Sequence, residues 1–250
     1  MINLENKIVL ITGGSRGIGA ACCKLFAQAN AKVAFTYNKD RKAADEVAKQ
    51  IGSNYWASFQ IDLNDKLNME ENIDKIFEQL KDIDILVNNA GIWKGDSIDK
   101  LSLNMWEETM TVNMTSTFLF TKKAAEIMKK KRDGKIINVS STAGQRGEAF
   151  HSDYAASKGA MISFTKAMAS ELGEYNINVN SVAPGWVLTD MSNWVFEDEG
   201  YKVEVIDGIP IRRIATAEDI AGPVLFLASD LARHITGEIL NVNGGSVLCG

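Results

Sequence analysis

Short apolar runs alternate with longer amphipathic segments along the chain. The run KIVLIT (7–12) is continuously apolar and rich in β-branched residues, which is typical of a strand buried on both faces. Similar runs recur, and segments with helical periodicity separate them. The predicted strands are 7–12, 31–37, 55–62, 83–89, 134–141, 177–184 and 237–245. The predicted helices are 17–29, 40–51, 66–80, 103–131 with a break near 111, 152–174 and 216–229, whereas 189–208 is predicted to be irregular.

This alternation predicts an α/β fold with a doubly wound, mostly parallel, seven-stranded sheet and helices on both faces. No linker rich in Gly, Pro or Ser divides the chain and no internal repeat is visible, so 1–250 is predicted to be one domain. In such sheets ligands bind beyond the carboxyl ends of the strands, where the strand order reverses. Functional residues are therefore expected immediately after each strand.

The overall charge excludes some functions. The 250 residues carry 27 basic and 32 acidic side chains, a net charge of −5, which argues against nucleic-acid binding. No apolar run reaches the ~18 residues that a membrane helix needs. The N-terminus runs straight into a strand without a signal-peptide pattern, so we predict a cytoplasmic protein that does not associate with membranes.

Cysteine and histidine spacing predicts neither disulfides nor a metal site. Cys22 and Cys23 are adjacent and Cys249 is next to the last residue, which favours free thiols in a reducing compartment. His151 and His234 are far apart in sequence, and no metal-ligand spacing accompanies them.

The segment 129–132 (KKKR) is the only basic cluster. It is interpreted as a solvated helix end favoured by the helix dipole, with a docking patch for an acidic partner as the alternative.

The segment TGGSRGIG (12–19) is a candidate phosphate-binding loop. It lies between a predicted strand and a predicted helix, and Gly13, Gly17 and Gly19 allow a sharp turn and close approach of a pyrophosphate to helix amides. A purely structural turn is the alternative interpretation.

The end of the second strand bears on the choice of cofactor. Tyr37, Asn38 and Lys39 occupy the place where a carboxylate would hold the ribose hydroxyls of NAD. Cations without a carboxylate suit a 2′-phosphate, and Arg16 can reach the same place, so NADP is favoured. The nearby Asp40 leaves NAD open, and a charged helix start is the alternative interpretation of Lys39.

Three further strand ends carry candidate residues. Asp62 can accept a hydrogen bond from an adenine amino group, or it can cap the next helix. The segment NNAG (88–91) can hold neighbouring backbone and let a ligand approach. Pro184 and Gly185 form a rigid turn that can lie against a flat ligand.

Tyr154 and Lys158 are spaced i, i+4 on a predicted helix, so both lie on one face. A cation ~4 Å from a phenolate at an effective dielectric constant of ~20 attracts it by about 4 kcal/mol, nearly three pKa units. The spacing therefore predicts a phenol whose pKa is lowered toward neutrality and which acts as a general acid. An incidental surface pair is the alternative.

Taken together, these motifs resemble the classical short-chain dehydrogenase/reductases over essentially the whole chain. Within that family the chain is most similar to 3-oxoacyl-[acyl-carrier-protein] reductases. The matching features are TGGSRGIG, Asp62, NNAG, Asn113, Ser141, YAASK (154–158), PGWVLTD (184–190) and ITGEILNVNGG (235–245). The resemblance implies a single-domain Rossmann fold and NAD(P)-dependent oxidoreduction. It also implies a homotetramer in which the helices 103–131 and 152–174 and the C-terminal segment form the contacts.

The resemblance also implies a role for each matching residue. Tyr154 is expected to be the general acid, Lys158 to bind the nicotinamide ribose and lower the phenol pKa, and Asn113 to hold a water of a proton relay. Ser141, thirteen positions before Tyr154, is expected to bind the substrate carbonyl, in preference to Ser140. The predicted cofactor-binding residues are Gly13, Ser15, Arg16, Gly17, Ile18, Gly19, Tyr37, Asn38, Lys39, Asp62, Leu63, Asn89, Ala90, Gly91, Tyr154, Lys158, Pro184, Gly185, Val187 and Thr189.

The sequence predicts the substrate less specifically than it predicts the cofactor. Its walls are expected from 92–99, 142–153 and 186–210, and the last, which contains Trp186, Trp194, Phe196 and Tyr201, is a candidate lid. NADPH-dependent reduction of 3-oxoacyl thioesters is the first hypothesis. The alternatives are a dehydrogenase of a free small alcohol, sugar or cyclic ketone, and a non-catalytic cofactor-binding sensor.

The charged segments of the chain give opposing indications for docking of an acyl carrier protein. The acidic run 197–199 would repel an acidic carrier, and Glu174 and Tyr175 stand where carrier-using relatives often have a basic residue. The basic cluster 129–132 could compensate.

Overall fold

The structure is a computed structural model that describes residues 2–248. Seven strands form one sheet in the order β3-β2-β1-β4-β5-β6-β7, and every neighbouring pair is parallel. The strands are β1 (Ile8–Ile11), β2 (Lys32–Tyr37), β3 (Tyr55–Gln60), β4 (Ile85–Asn88), β5 (Gly134–Val139), β6 (Ile177–Pro184) and β7 (Ile239–Val242). The strand order reverses between β1 and β4, which places the expected ligand cleft at the carboxyl ends of these two strands.

Helices cover both faces of the sheet, as predicted. One buried apolar cluster joins the sheet to α1, α2 and α9, and another joins it to α3, α5 and α7. The helices are α1 (Gly17–Gln28), α2 (Arg41–Ile51), α3 (Met69–Leu80), α4 (Leu103–Met110), α5 (Ser116–Lys131), α6 (Ala143–Arg146), α7 (Ser152–Leu172), α8 (Glu199–Asp207) and α9 (Ala217–Ala228). Within 2–248, no helix has both the length and the apolar character needed to span a bilayer.

The helix expected over 103–131 is interrupted at 111, as predicted. A turn of π-helix, Thr111–Thr115, separates α4 from α5. Such turns inside α-helices are frequent at functional sites because they re-aim side chains. Here the turn carries the buried Asn113.

Two predictions of secondary structure were wrong. The segment 189–208 is not irregular throughout, because it contains α8 and a short 3₁₀ helix, Asn193–Glu197. Asp198 caps α8 by accepting hydrogen bonds from the amides of Gly200 (2.9 Å) and Tyr201 (3.1 Å). No residue of α8 is buried, so its sequence carries no apolar periodicity that could reveal it. The short helix α6 was also unpredicted.

The basic cluster 129–132 is largely engaged by the protein itself. The contacts are Lys129 with Glu171 (3.5 Å), Lys131 with Asp82 (2.9 Å) and Asp84 (2.6 Å), and the Arg132 guanidinium over the Tyr175 ring (5.6 Å). These contacts favour the helix-end interpretation over a free docking patch.

Cys22 and Cys23 are free thiols buried in α1. Burial raises the pKa of the Cys22 thiol to about 12, so it behaves as a packing residue. Cys249 lies outside the described residues.

Candidate active site

The glycine loop connects β1 to the start of α1. Gly17 has a φ of +52° in the left-handed region. A Cβ at Gly19 would lie 2.1 Å from the Gly13 carbonyl oxygen, so only glycine allows the helix start to lie this close to the loop. The Gly14 amide donates to the Thr36 carbonyl (2.8 Å), which fixes the loop against β2. The first turn of α1 thus begins at the carboxyl edge of the sheet, where its amides can bind an anion.

The end of β2 is electropositive. Asn38 and Lys39 are exposed, whereas the Asp40 carboxylate caps α2 by accepting a hydrogen bond from the Ala43 amide (3.0 Å). Arg16 stands at the N-cap position of α1 and makes no side-chain capping bond. In the part of the chain that the structure describes, neither Arg16 nor Lys39 forms an ion pair.

Asp62 lies exposed after β3, and Leu63 beside it is buried. Its carboxylate accepts a hydrogen bond from the Asn64 amide (2.9 Å) within a turn. The N-cap of α3 is Asn68, so the alternative interpretation of Asp62 as the helix cap was wrong.

Asn89, after β4, holds the glycine loop. Its amide nitrogen donates to the carbonyls of Thr12 (2.9 Å) and Gly13 (3.2 Å). Thr12 completes the clamp, because its hydroxyl accepts from the backbone amides of Asn89 (3.0 Å) and Ala90 (2.9 Å). The prediction that NNAG holds neighbouring backbone is confirmed. The sequence analysis missed Thr12, whose position directly before the glycines was the available signal.

Gly91 lies close to the side chains of Asn113 and Lys158. A Cβ at this position would lie 3.2 Å from Asn113 Oδ1 and 3.6 Å from Lys158 Nζ. The Asn113 amide nitrogen donates to the Ile92 carbonyl (3.0 Å) and to Ser157 Oγ (3.0 Å), and Oδ1 accepts from the Ile92 amide (2.8 Å). Both amide hydrogens are therefore committed to holding the segment after β4 against α7.

Ser141 and Ser140 differ clearly in their surroundings. Ser140 is buried, and its hydroxyl donates to the Val182 carbonyl (3.1 Å) of β6. Ser141 is partly exposed, and its oxygen accepts from the Ala143 amide (3.1 Å), which leaves its proton free to be donated. The Ser141 hydroxyl also interacts with the Tyr154 hydroxyl.

Helix α7 begins at Ser152 and carries Tyr154 and Lys158 on its first turns. Lys158 is 4% exposed, and its ammonium donates to the Val139 carbonyl (2.7 Å) at the end of β5. The Lys158 nitrogen lies 5.7 Å from the centre of the Tyr154 ring. The pair is therefore part of the cleft and not an incidental surface pair.

The predicted lowering of the phenol pKa was wrong for this structure. Burial raises the pKa of Tyr154 to about 12, the Ser141 hydrogen bond lowers it, and the Glu148 charge raises it further. Burial lowers the pKa of Lys158 to about 8. The expectation placed the ammonium ~4 Å from the phenolate, whereas in the structure the Lys158 ammonium donates to the Val139 carbonyl and burial is the largest influence on the pKa of Tyr154. At neutral pH Tyr154 keeps its proton.

The segment after β6 closes the cleft opposite the glycine loop. The Pro184 carbonyl accepts from the Thr142 amide (3.0 Å), which ties it to the segment that carries Ser141. Val187 is buried and pairs with Ala215. A Cβ at Gly17 would lie 3.4 Å from the Thr189 methyl group, so this segment reaches the phosphate-binding loop.

An aromatic cluster joins the three segments that were predicted to form the substrate walls. Trp93 stacks on His151 with ring centroids 4.5 Å apart and an interplanar angle of 11°. Trp186 meets Trp93 edge-on at 5.6 Å, and Trp194 lies 5.6 Å from Trp93. Trp93 and His151 had been included only as members of their segments, because aromatic residues in loops have no diagnostic spacing.

Comparison with known proteins gives consistent matches. A family model described as enoyl-(acyl carrier protein) reductase matches residues 13–246. The chain is 41% identical over 249 residues to the 3-oxoacyl-[acyl-carrier-protein] reductase FabG of Aquifex aeolicus, and 37% identical over 244 residues to FabG of Escherichia coli K12, covering 98% of each chain in both cases. A candidate NAD(P)-dependent gluconate 5-dehydrogenase from Beutenbergia cavernae, solved with NADP, superposes with a TM-score of 0.93 at 33% identity and 98% coverage of both chains.

Proposed function

Because the chain belongs to the short-chain dehydrogenase/reductase family of NAD(P)-dependent oxidoreductases, we propose that it uses NADPH to reduce the 3-oxo group of an acyl thioester. The observation that carries the proposal is the convergence of Ser141, Tyr154 and Lys158 at the sheet edge that also bears the glycine loop. The relatives named 3-oxoacyl-[acyl-carrier-protein] reductases support the substrate class.

The residues of the cleft fit a dinucleotide. The first turn of α1 can bind the pyrophosphate, and the absence of a side chain at Gly91 lets the end of β4 lie close to Asn113 and Lys158. Lys158 would hold the nicotinamide ribose, and Asp62 would meet the adenine. Val187 and Thr189 would contact the carboxamide group of the nicotinamide. When bound, the dihydronicotinamide supplies a hydride.

Side chains of the protein polarise and protonate the carbonyl oxygen. Ser141 donates a hydrogen bond that polarises the carbonyl, and Tyr154 gives its phenolic proton to the oxygen as the alkoxide forms. A phenol with a raised pKa suits carbonyl reduction, because it stays protonated until the more basic alkoxide forms and accepts the proton. The Lys158 ammonium stabilises the phenolate that remains. Asn113 positions the segment after β4 and α7 around these groups.

NADP in preference to NAD is supported by two cations that form no ion pair among the described residues, Lys39 after β2 and Arg16 at the N-cap of α1. Replacing Arg16 with alanine is expected to weaken NADPH binding about tenfold or more, since a charge-assisted hydrogen bond contributes about 1.5–3 kcal/mol. NADH binding, measured by the same fluorescence titration, should change little. Arg41→Ala is the matched control, because Arg41 is nearby but pairs with Asp45 (3.8 Å). Equal losses for both cofactors would contradict the assignment.

The lowered pKa of Lys158 predicts that cofactor binding depends on pH. Its pKa is lowered to about 8, so the ammonium is present below that pH and is lost as the pH rises through it. The ratio kcat/KM for NADPH, measured at saturating ketone, reports groups of the free enzyme. It is expected to be flat from pH 6 to about 7.5 and to fall above about pH 8. A profile that stays flat to pH 9.5 would show that this ammonium does not hold the ribose.

The substrate class is tested by NADPH oxidation with acetoacetyl thioesters beside a panel of free ketones and keto sugars. The proposal expects a higher kcat/KM for the thioesters. Turnover of free ketones with none of thioesters would replace it with the free small-molecule alternative. Binding of NADPH without turnover of any carbonyl compound would point to a non-catalytic sensor.

Carrier docking, the lid and the assembly are further parts of this proposal. The engagement of the 129–132 cluster by internal contacts weighs against strong carrier docking, so carrier-linked and small thioesters are expected to react with similar kcat/KM.

Trp186 and Trp194, in contact with Trp93, support a lid over 186–210. Cytoplasmic location and a homotetramer stay predictions, and gel filtration tests the latter; part of the C-terminal segment lies outside the described residues.

A further inference from the structure

Glu148 places a carboxylate at the substrate side of the catalytic groups. It lies in the loop between α6 and α7, six positions before Tyr154, and its side chain is only 19% exposed. Its charge raises the pKa of Tyr154, so the carboxylate acts on the phenol directly through space. None of the catalytic roles described above uses it.

The surroundings of Glu148 are aromatic, and nearby donors and cations offset its burial only in part. Its Oε1 lies 3.9 Å from His151 Nδ1, beyond hydrogen-bond distance. Burial raises the pKa of Glu148, while the charges of His151 and Arg146 and the Trp93 side chain lower it. A carboxylate has about four acceptor sites, so Glu148 keeps the capacity to accept further hydrogen bonds.

The walls of this subsite come from the same three segments that surround the reacting carbonyl. His151 covers one face of Trp93 at 4.5 Å, and Trp186 meets the same ring edge-on from the segment after β6. Rings on these sides lower the local dielectric constant and strengthen the field of the carboxylate. A second negative charge brought into this space would be repelled. A neutral donor would be bound.

We propose that Glu148 is a specificity-determining residue that makes the site select uncharged 3-oxo compounds bearing a hydrogen-bond donor near the reacting carbonyl, and reject free 3-oxo acids. This inference rests on the proposed carbonyl reduction at Tyr154 and narrows its substrate class. A thioester whose thiol arm carries an amide N–H has the required chemistry. A carboxylate substrate such as an aldonate does not.

The test uses three probes that share one carbon skeleton. Acetoacetamide is neutral and carries N–H donors, acetoacetate is its nearly isosteric anion, and methyl acetoacetate is neutral without a donor. The native enzyme is expected to prefer acetoacetamide over acetoacetate by at least about tenfold in kcat/KM. Glu148→Gln, which removes the charge and keeps the shape, should bring this ratio to within about threefold of unity, mainly by improving acetoacetate. Methyl acetoacetate should change least, since it has neither a charge nor a donor.

Binding supplies a second readout that does not require turnover. Trp93, Trp186 and Trp194, three of the five tryptophans, form the aromatic cluster at this subsite, so quenching of tryptophan fluorescence reports its occupation, and the same order of dissociation constants is expected. Glu78→Gln is the matched control, because Glu78 is an exposed acid of α3, outside the three segments predicted to form the substrate walls, and should leave the preference unchanged.

The outcomes separate this inference from the proposed function. If no probe is reduced but fluorescence still shows the charge preference and its loss in Glu148→Gln, the proposed reduction fails and the selectivity stands. An unchanged amide-to-acid ratio in Glu148→Gln, or the same change in Glu78→Gln, would overturn the inference, as would a failure of all three probes to bind.

Discussion

Tyr154→Phe is expected to lower kcat for carbonyl reduction by about 10²–10⁴-fold, the usual contribution of a positioned general acid. The substitution removes only the phenolic hydroxyl, which is the proton donor beside Ser141. The dissociation constant for NADPH should stay within about threefold of the native value, because the glycine loop, Asn89 and Lys158 are unchanged. Stopped-flow NADPH oxidation with an acetoacetyl thioester measures kcat. Fluorescence titration measures the dissociation constant for NADPH.

Tyr175→Phe is the matched control for this prediction. Tyr175 follows α7, and Lys129 and Arg132 lie over its ring, away from the cleft. Its substitution should leave kcat unchanged. Near-normal turnover in Tyr154→Phe would remove Tyr154 from the catalytic role.

Gly19→Ala is expected to have the next largest effect, on cofactor binding. The new Cβ would lie 2.1 Å from the Gly13 carbonyl and 2.6 Å from the Asn89 amide nitrogen, so the loop and its clamp must move apart. Overpacking of this kind costs about 1–3 kcal/mol. If the strain falls on the bound state, the affinity for NADPH should drop by about 5- to 150-fold, as measured by fluorescence titration.

The control for this substitution is Gly222→Ala in α9. A Cβ at Gly222 meets nothing within 4 Å, and alanine is the better helix former by about 0.8–1 kcal/mol. NADPH binding should be unchanged and the melting temperature should rise. A Gly19→Ala variant with native affinity would show that this part of the loop does not form the cofactor cleft.

The strand-end residues could be predicted from the sequence because the fold concentrates them at one edge. Buried parallel strands produce continuous apolar runs such as IVLI in β1, so their ends are visible in the sequence. The residue after each end then falls into the cleft, which is why Gly13, Gly91 and Ser141 were found. The break near 111 was also predicted, and the structure places a turn of π-helix there.

Other features depend on contacts that no local pattern records. The sequence indicated that NNAG holds neighbouring backbone, but not that the Asn89 side-chain amide binds the carbonyls of Thr12 and Gly13 in particular. The effect of Lys158 on Tyr154 was misjudged because the desolvation of both groups depends on the completed fold. Trp93 and Glu148 meet only when the segments after β4 and before α7 come together.

A crystal structure of the complex with NADP tests the central claim most directly, because the claim is that one cleft holds the dinucleotide, Tyr154 and Lys158 together. We expect the pyrophosphate at the first turn of α1, the Lys158 nitrogen within hydrogen-bond distance of the nicotinamide ribose, and the Tyr154 hydroxyl facing the nicotinamide ring. A complex in which the nicotinamide lies away from Tyr154, with Lys158 still bound only to the Val139 carbonyl, would contradict the account.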